Sequence, residues 1–310
     1  MAFFKFKRKV LCLALKREED DAGIDYIAAG ATAPAMLTKN GQVEINDETL
    51  ERELDGETLG HDPAMIVGAQ FKFTGSIEIQ GSGTATTAVA YSPLLQMAGR
   101  DEDKTTVATE VSYNSITDNT EIDGTCYFEI DGHLYSGLGC RATFKTTIKM
   151  GELPYLDFEV TGVFGDLIDG SVPNSVFTAF KKPTKVSKAN TSFTLDGSQI
   201  ALVEYELTQG NTLELLETTE TESVEITDIK SDGKFVVESP ALSDFDPNAI
   251  AEAETLIPYS ITHGTVAGSI YQEEAAQIQL LRPKAVELKG GLRGWEIPFR
   301  VIGTNKIITK

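Results

Sequence analysis

Cysteine, histidine and tryptophan are scarce in this sequence, which has 3 cysteines, 3 histidines and 1 tryptophan in 310 residues. The cysteines, Cys12, Cys126 and Cys140, form no CxxC pair. No histidine lies three or four residues from another histidine or from a cysteine, so the spacing of a zinc site is missing. An odd number of unpaired cysteines favours reduced thiols, as in the cytoplasm. We therefore expect no metal site and no cofactor.

The spacing around the turn Asp131-Gly132 also argues against a disulfide. A two-residue hairpin turn places Tyr127 opposite Ser136. Cys140 then lies three positions beyond the residue that faces Cys126, which is too far for a bond between their sulfur atoms.

Long hydrophobic runs are absent, and no segment approaches the 18 or more apolar residues of a membrane span. The apolar run Val10–Leu15 is too short for the core of a secretory signal, and no small-residue cleavage pattern follows it. We expect a soluble protein that carries no export signal of its own.

Basic residues are few, with 27 Lys and Arg against 47 Asp and Glu and a net charge of −20. Such a chain is repelled by phosphate backbones and by anionic membranes. The charge is explained either by solubility alone or by a protein that must sit near DNA without binding it. Composition does not choose between these interpretations.

Catalytic motifs are missing as well. The sequence has no GxSxG elbow and no phosphate-binding GKS or GKT loop. The stretch Asp244–Asn248 resembles the start of a calcium loop, but Ala249 stands where the sharp turn requires glycine, and a helix cap explains the same residues. We predict that the chain is not an enzyme.

Strict alternation of apolar and polar residues is the dominant pattern that is present. From Gln70 to Gln80 the apolar residues fall on one face and the polar residues on the other, and the same period returns in 142–150 and 156–161. Asp-Gly turns favour antiparallel hairpins. Short helices are predicted only at Ser92–Gly99, with serine as cap, and at Asp246–Glu254, with aspartate as cap. The predicted fold is all-β with a few short helices.

A strand, a hairpin, a short helix and a closing hairpin with an aromatic last strand occur in this order twice. This favours an internal duplication with a first β domain at 1–182, a linker at 183–190 and a second β domain at 191–310. The alternative is one elaborated β domain over 1–310.

Two acidic segments, 17–25 and 47–57, are too long and too charged to be expected in a core. We expect them to form arms that contact adjacent subunits of an assembly. The residues that represent these arms are Glu19, Asp20, Asp47, Glu51 and Asp55.

Several stretches resemble the tail tube, or major tail, proteins of long-tailed bacteriophages (siphophages). The opening strand Val10–Leu15 before an acidic loop is family-like, and the strand and glycine turn of Phe73–Gly83, followed by the leucine helix of Tyr91–Gly99, are similar to the family core. The stretches 131–144, 151–162 and 226–247 add to the resemblance.

The resemblance implies a β-sandwich or barrel whose inner sheet joins neighbouring subunits into a ring. Stacked rings form the hollow tail tube of the virion, through which phage DNA passes without specific binding. The implied partners are other copies of the chain, three per ring if it is duplicated and six if it is not, together with tape measure, tail initiator and tail terminator proteins. Assembly would take place in the host cytoplasm and involve no membrane.

Two other classes remain open, namely a β-rich adhesin or virion decoration protein and a hydrolase with dispersed carboxylates. If the chain forms a tube, the polar face of the strand at 70–80 or its counterpart near 225–228 is expected to line an acidic channel. The corresponding candidate residues are Glu78, Gln80, Glu225 and Asp228.

Overall fold

The structure, a computed structural model, describes residues 5–51, 64–118, 120–173 and 175–310. It is 54% β-strand and has two helices, α1 (Ser92–Met97) and α2 (Pro247–Glu252), so the prediction of an all-β fold is confirmed. The strands up to residue 182 are β1 Lys9–Leu15, β2 Ala35–Met36, β3 Lys39–Leu50, β4 Met65–Glu78, β5 Arg100–Asp103, β6 Val111–Ser115, β7 Gly124–Ile130, β8 His133–Lys149 and β9 Tyr155–Asp169. Those that follow are β10 Thr191–Leu195, β11 Ser198–Gln199, β12 Leu202–Thr208, β13 Asn211–Glu217, β14 Glu222–Ile229, β15 Asp232–Glu238, β16 Leu256–His263, β17 Tyr271–Leu280, β18 Lys284–Leu288, β19 Leu292–Val301 and β20 Asn305–Thr309.

Strand β4 shows why the alternation predicts the fold. Its residues Phe71, Phe73 and Ile77 are buried, whereas the intervening Lys72 and Thr74 are partly exposed. Successive side chains of a strand point to opposite faces, so one face of β4 meets the core and the other meets solvent.

Every strand pairing among the described residues is antiparallel. Up to residue 182, β1 pairs with β7, β3 with β4, β4 with β9, β7 with β8, and β8 with β9. Beyond residue 190, β10 pairs with β16, β12 with β15, β15 with β19, β16 with β17, and β17 with β19. The two series are joined by the pairs β8–β12 and β6–β20.

The core lies between two facing layers of strands. The ring of Phe73 on β4 lies 4.5 Å from that of Phe128 on β7, although these strands do not pair with each other. The same relation recurs later in the chain, where Phe235 on β15 lies 5.5 Å from Tyr259 on β16. One cluster of buried apolar side chains includes residues from both parts of the chain, so the core is continuous.

The hairpin β7–β8 has the predicted register, because Tyr127 faces Ser136. Cys126 faces Gly137, whereas Cys140 faces Gly124 beyond an irregularity in the pairing. All three cysteines are buried, and burial raises the pKa of the Cys126 and Cys140 thiols. A Cβ atom at Gly137 would lie 2.4 Å from the Phe71 ring, so β8 requires glycine at this bend.

The two helices differ in how they begin. Asp246 caps α2, because its carboxylate accepts hydrogen bonds from the amides of Asn248 at 3.0 Å and Ala249 at 3.1 Å, as predicted. The predicted serine cap of α1 is wrong. Tyr91 holds the capping position, and the Ser92 hydroxyl donates instead to the carboxylate of Glu102.

The segment predicted as a linker, 183–190, is held on both sides by the body of the protein. Val186 is buried and its amide donates to Glu152 O at 2.8 Å, while its carbonyl accepts from the amide of Gly151 at 3.0 Å. The division into domains 1–182 and 191–310, and the alternative of one domain, stay predictions.

A fully buried guanidinium, that of Arg100, connects elements from both parts of the chain. It donates to the Asn305 carbonyl at 3.0 Å, to the Asn305 side-chain oxygen at 2.9 Å and to the Gln209 side chain. It also lies 5.5 Å from the centre of the Phe144 ring. Burial raises the pKa of the nearby Glu273 carboxyl, and the charge of Arg100 opposes that rise.

Replacing this residue tests its role. Arg100→Met should lower the free energy of unfolding by about 3–5 kcal/mol, because Glu273, Gln209 and Asn305 lose a buried partner. Arg282→Met, a matched change at an exposed arginine, should change it by no more than about 0.5 kcal/mol. Urea unfolding of both variants measures the difference, and equal losses would contradict the assignment.

His263 predicts a pH dependence. Its ring is buried between Thr191 Oγ1 and the Thr184 carbonyl, both at 2.9 Å, and burial lowers its pKa. As the pH falls below about 6.5, His263 is therefore protonated in the unfolded chain before it is protonated in the folded one. The free energy of unfolding then decreases as the pH falls. His263→Gln should lose less stability than the native chain between pH 7.5 and 5.5 in urea titrations. Equal losses in the two proteins would rule out His263 as the source.

Candidate functional site

The described residues contain no group of three or more His, Cys, Asp or Glu side chains placed to hold a metal ion. Within the same residues, no helix has both the length and the apolar character needed to cross a membrane. Of the histidines, His263 is enclosed by threonine partners, His133 lies near Asp169 at 3.5 Å, and His61 lies outside the described residues. The extended feature of this molecule is a sheet surface.

The outward side chains of one run of paired strands form a single surface, which we call the polar face. The strands follow the order β3, β4, β9, β8, β12, β15, β19 and β18. Directly opposed residues form rows across it. One row consists of Ser76, Asp157, Lys145, Thr208, Asp232 and Arg300.

Lysines on the polar face are held by carboxylates of neighbouring strands. Lys72 Nζ lies 2.8 Å from Glu159, and Lys145 Nζ lies 2.9 Å from Glu206. Lys234 Nζ lies 3.5 Å from Glu206, and although burial alone would raise the pKa of the Glu206 carboxyl, the two lysines hold it below its usual range. Each ion pair is partly exposed and contributes little to stability by itself.

This pairing changes the charge expected on the face. The strand at 70–80 has only one lysine, which led us to expect a net-negative surface, but the adjacent strands add Lys145, Lys149 and Lys234. The polar face therefore mixes both signs. Much of the charge of −20 must lie elsewhere on the molecule.

The four residues proposed for the channel do not share one surface. Glu78 is the last residue of β4, lies opposite Tyr155 and is half-buried on the polar face. Gln80 lies beyond the end of β4 and is only 7% exposed. Glu225 and Asp228 lie on β14, which belongs to a separate two-stranded sheet.

That separate sheet is the hairpin β13–β14, which packs on β8 and β9. At its base, Asn211 Nδ2 donates to the carbonyls of Ala142 and Ala98, both at 2.8 Å. Along its length, Arg141 on β8 binds Glu225 at 3.2 Å. A Cβ atom at Gly68 on β4 would lie 2.3 Å from the Glu217 carboxylate, so the far end of the hairpin reaches β4.

The first acidic segment, 17–25, folds onto its own chain instead of projecting as an arm. Asp20 binds the Arg17 guanidinium at 2.7 and 2.9 Å and the Arg17 amide at 3.1 Å, while Glu19 lies 3.3 Å from the same guanidinium. The following residue Tyr26 is fully buried and donates to Asp123. Arg17 therefore pairs with two of the five acids of the segment, and the expected contact with adjacent subunits stays a prediction.

The second acidic segment begins at the far end of the hairpin β3–β4. Asp47 and Glu51 are exposed there, and Asp55 lies outside the described residues. The same end also exposes large apolar side chains, at 42% or more of their surface in each case: Leu50, Met65, Ile66 and Val67. Several adjoining exposed apolar residues at the end of a hairpin are typical of a contact with another protein surface.

The run of strands that forms the polar face has an open edge at each end. Among the described residues, β3 pairs only with β4, and β18 pairs only with β19. They are the two ends of the run of strands that forms the polar face. An open edge presents unpaired amide and carbonyl groups that can pair with another chain.

The comparisons with known proteins do not place the chain in a family. No protein-family model matches it, and no curated protein matches it at a significant level.

The contact between Arg141 and Glu225 predicts how the hairpin β13–β14 is attached. Arg141→Met should increase amide hydrogen exchange across 211–229, because the half-buried Glu225 loses its charged partner. Lys145→Met, which removes a polar-face lysine, is the matched control and should leave that exchange unchanged. Hydrogen exchange by mass spectrometry measures both, and the same exchange in both variants would contradict the prediction.

Proposed function

We propose that this chain is a structural subunit that closes into rings of three copies and stacks into the hollow tail tube of a long-tailed bacteriophage. The observation that carries the proposal is the pair of open strand edges, β3 and β18, at the two ends of the polar face. Their pairing between copies would continue the sheet around a closed ring and cover both open edges of the polar face.

The strand pairings support an internal duplication. We call residues 1–182 the first half and residues 191–310 the second half. Strands β1, β3, β4, β7, β8 and β9 correspond in order and pairing to β10, β12, β15, β16, β17 and β19. The helix α1 follows β4 as α2 follows β15. Agreement of five antiparallel pairings and a helix in the same order is hard to attribute to shared turn chemistry alone.

The pairing that joins the two halves inside one chain suggests how two chains would pair in the ring. The end of β8 pairs with β12, the first strand of the second-half hairpin. In the first half the strand that corresponds to β12 is β3. In the first half, the end of β8 leads into the hairpin with β9. In the second half, β18 holds the same position before β19, so β18 corresponds to the end of β8. Pairing of β18 with β3 of the next copy would repeat the internal junction, so three chains supply six similar units.

The polar face suits a wall along which DNA slides. DNA affinity grows with each lysine or arginine that neutralises a phosphate. Several lysines of this face already lie beside carboxylates, as Lys72 does with Glu159 at 2.8 Å, whereas Lys39 lies over the Tyr155 ring. Carboxylates such as Glu78 and Glu206 repel phosphate within about 8–10 Å at physiological salt. We propose a channel surface of paired charges in place of the net-negative surface expected from the strand at 70–80 alone.

In this role the chain would be a virion protein without enzymatic activity, located in the tail and assembled in the host cytoplasm. Its partners would be copies of itself, the tape measure protein around which the tube forms, and the initiator and terminator proteins at the tube ends. An adhesin or decoration protein with the same strands would instead remain a discrete particle that binds glycan or a capsid.

Imaging of the purified protein by negative stain, alone and with tail initiator proteins, tests the assembly. Rings of three chains, or tubes built from them, are the expected result, and native mass spectrometry counts the chains. A protein that stays monomeric under both conditions would refute the ring.

Two proline variants test the edge of β18. Adjacent amides of a strand point to opposite sides, so of Ala285→Pro and Val286→Pro one removes only an outward-facing amide hydrogen. The variant that keeps the native melting temperature should fail to close rings. The other proline breaks the hairpin β18–β19 and serves as the folding control. Normal rings from the folded variant would show that β18 is not the joining edge.

A further inference from the structure

We propose that a groove on the second half receives the first-half arm of a neighbouring copy of this chain. The groove has a volume of about 690 Å³ and is bounded mainly by residues 226–232 and 300–304. The first-half arm is the end of the hairpin β3–β4, residues 46–51 and 64–69. The inference rests on the proposed ring and goes beyond it, because it assigns a surface to each partner.

The hairpin β13–β14 shows how such an arm is seated. It continues from β12 and β15, which stand beside β8, and lies across β8 and β9 of the first half. Its base is fixed by Asn211 and its middle by Arg141, while Glu217 at its end lies against Gly68 of β4. Val224, an apolar residue on β14, is 1% exposed in this position.

Apart from the contact of Gly68 with Glu217, the corresponding arm of the first half has apolar side chains that its own chain does not cover. It continues from β3 and β4 as β13–β14 continues from β12 and β15. Its apolar residues remain open to solvent, with Ile66 70% exposed and Met65 51% exposed. Val224 of the hairpin β13–β14 is buried, whereas Ile66 and Met65 of the first-half arm are exposed. The apolar surface of the hairpin is therefore covered, and that of the first-half arm is not.

The hairpin β13–β14 covers one region of the first half. The groove lies at the corresponding region of the second half. On the first half that hairpin crosses β9 and reaches the part of β4 around Gly68. The strands that correspond to β9 and β4 are β19 and β15, and β14 leads directly into β15. The groove runs between the end of β19 and the segment where β14 passes into β15.

The ring geometry selects a second copy as the occupant. Pairing of β12 with β8 is what carries the hairpin β13–β14 over β8 and β9. Pairing of β3 with β18 of a neighbour would carry the first-half arm over β17 and β19 of that neighbour in the same way. The base of the arm on its own chain is already occupied at Gly68 by Glu217.

The two surfaces offer apolar side chains on both sides and one pairing of opposite charge. The groove is lined by apolar side chains, among them Ile226, Ile229 and Ile302, and by the exposed guanidinium of Arg300. Its other charged residues are the carboxylates of Glu121, Asp228 and Asp232 and the ammonium of Lys230, which is paired with Asp228. The arm supplies apolar side chains and the exposed carboxylates of Asp47 and Glu51. In the seated hairpin the same combination is present, since Arg141 binds Glu225 at 3.2 Å.

Disulfide trapping between separately purified variants tests the contact. Ile66→Cys is mixed with Ile302→Cys under assembly conditions and oxidised, while the native cysteines, all buried, serve as background. We expect a cross-linked dimer on a non-reducing gel, because each variant carries only one of the two new thiols. The matched control mixes Ile66→Cys with Leu242→Cys, which is 55% exposed outside the groove, and should give no dimer.

The outcomes separate this contact from the ring itself. Rings seen by negative stain without the cross-link would overturn the groove and leave the ring standing. A dimer from Ile66→Cys alone would mean that arms pair with each other, which also overturns the groove. A protein that neither assembles nor cross-links would overturn both proposals.

A charge reversal gives an independent measurement. Arg300→Glu should raise the protein concentration needed for assembly roughly tenfold, since the groove would repel Asp47 and Glu51 of the arm. Lys185→Glu, at an exposed lysine outside the groove, makes the same change in net charge and should leave that concentration unchanged. Equal effects of the two substitutions would overturn the proposed contact.

Discussion

A guanidinium without access to water determines how the two parts of this chain meet. Arg100 comes directly after α1, and its acceptors lie on β20 and in the segment between β12 and β13. A buried charge without acceptors would cost several kcal/mol, so these elements must be in place together. The pairs β8–β12 and β6–β20 enclose the same region. The junction is therefore fixed by a polar contact as well as by apolar burial.

A junction fixed in this way has consequences for the rest of the sheet. With β12 held against β8, the hairpin β13–β14 lies across β8 and β9, where Arg141 and Asn211 bind it. The polar face then extends without interruption from β3 to β18. Both of its outer edges remain unpaired among the described residues. The contacts that complete the interior of the chain therefore leave the strands at the two ends of the polar face with unpaired backbone groups.

The sequence allowed the elements with a strong local signal to be predicted. The alternation of 70–80, the turn at Asp131-Gly132 with its register, and the Asp246 cap were all correct. The role of Arg100 was not predictable, because a single arginine beside Asp101 and Glu102 has the pattern of a solvated loop, and its acceptors lie more than a hundred residues away. The fold of 17–25 was missed for a related reason, since Arg17 was counted as part of an acidic run and not as its partner.

The charge of the polar face could not be predicted from the sequence of one strand. The total of −20 and the single lysine of the strand at 70–80 suggested a net-negative channel surface. On the folded chain that strand lies beside β9 and, through it, β8, so its surroundings include Lys145 and the carboxylates that hold it. Sheet order decides which charges are neighbours, and sheet order depends on contacts between residues far apart in sequence. The charge of a sheet face therefore follows from the lysines and carboxylates that sheet order brings together, as it does for Lys145 and Glu206 at 2.9 Å.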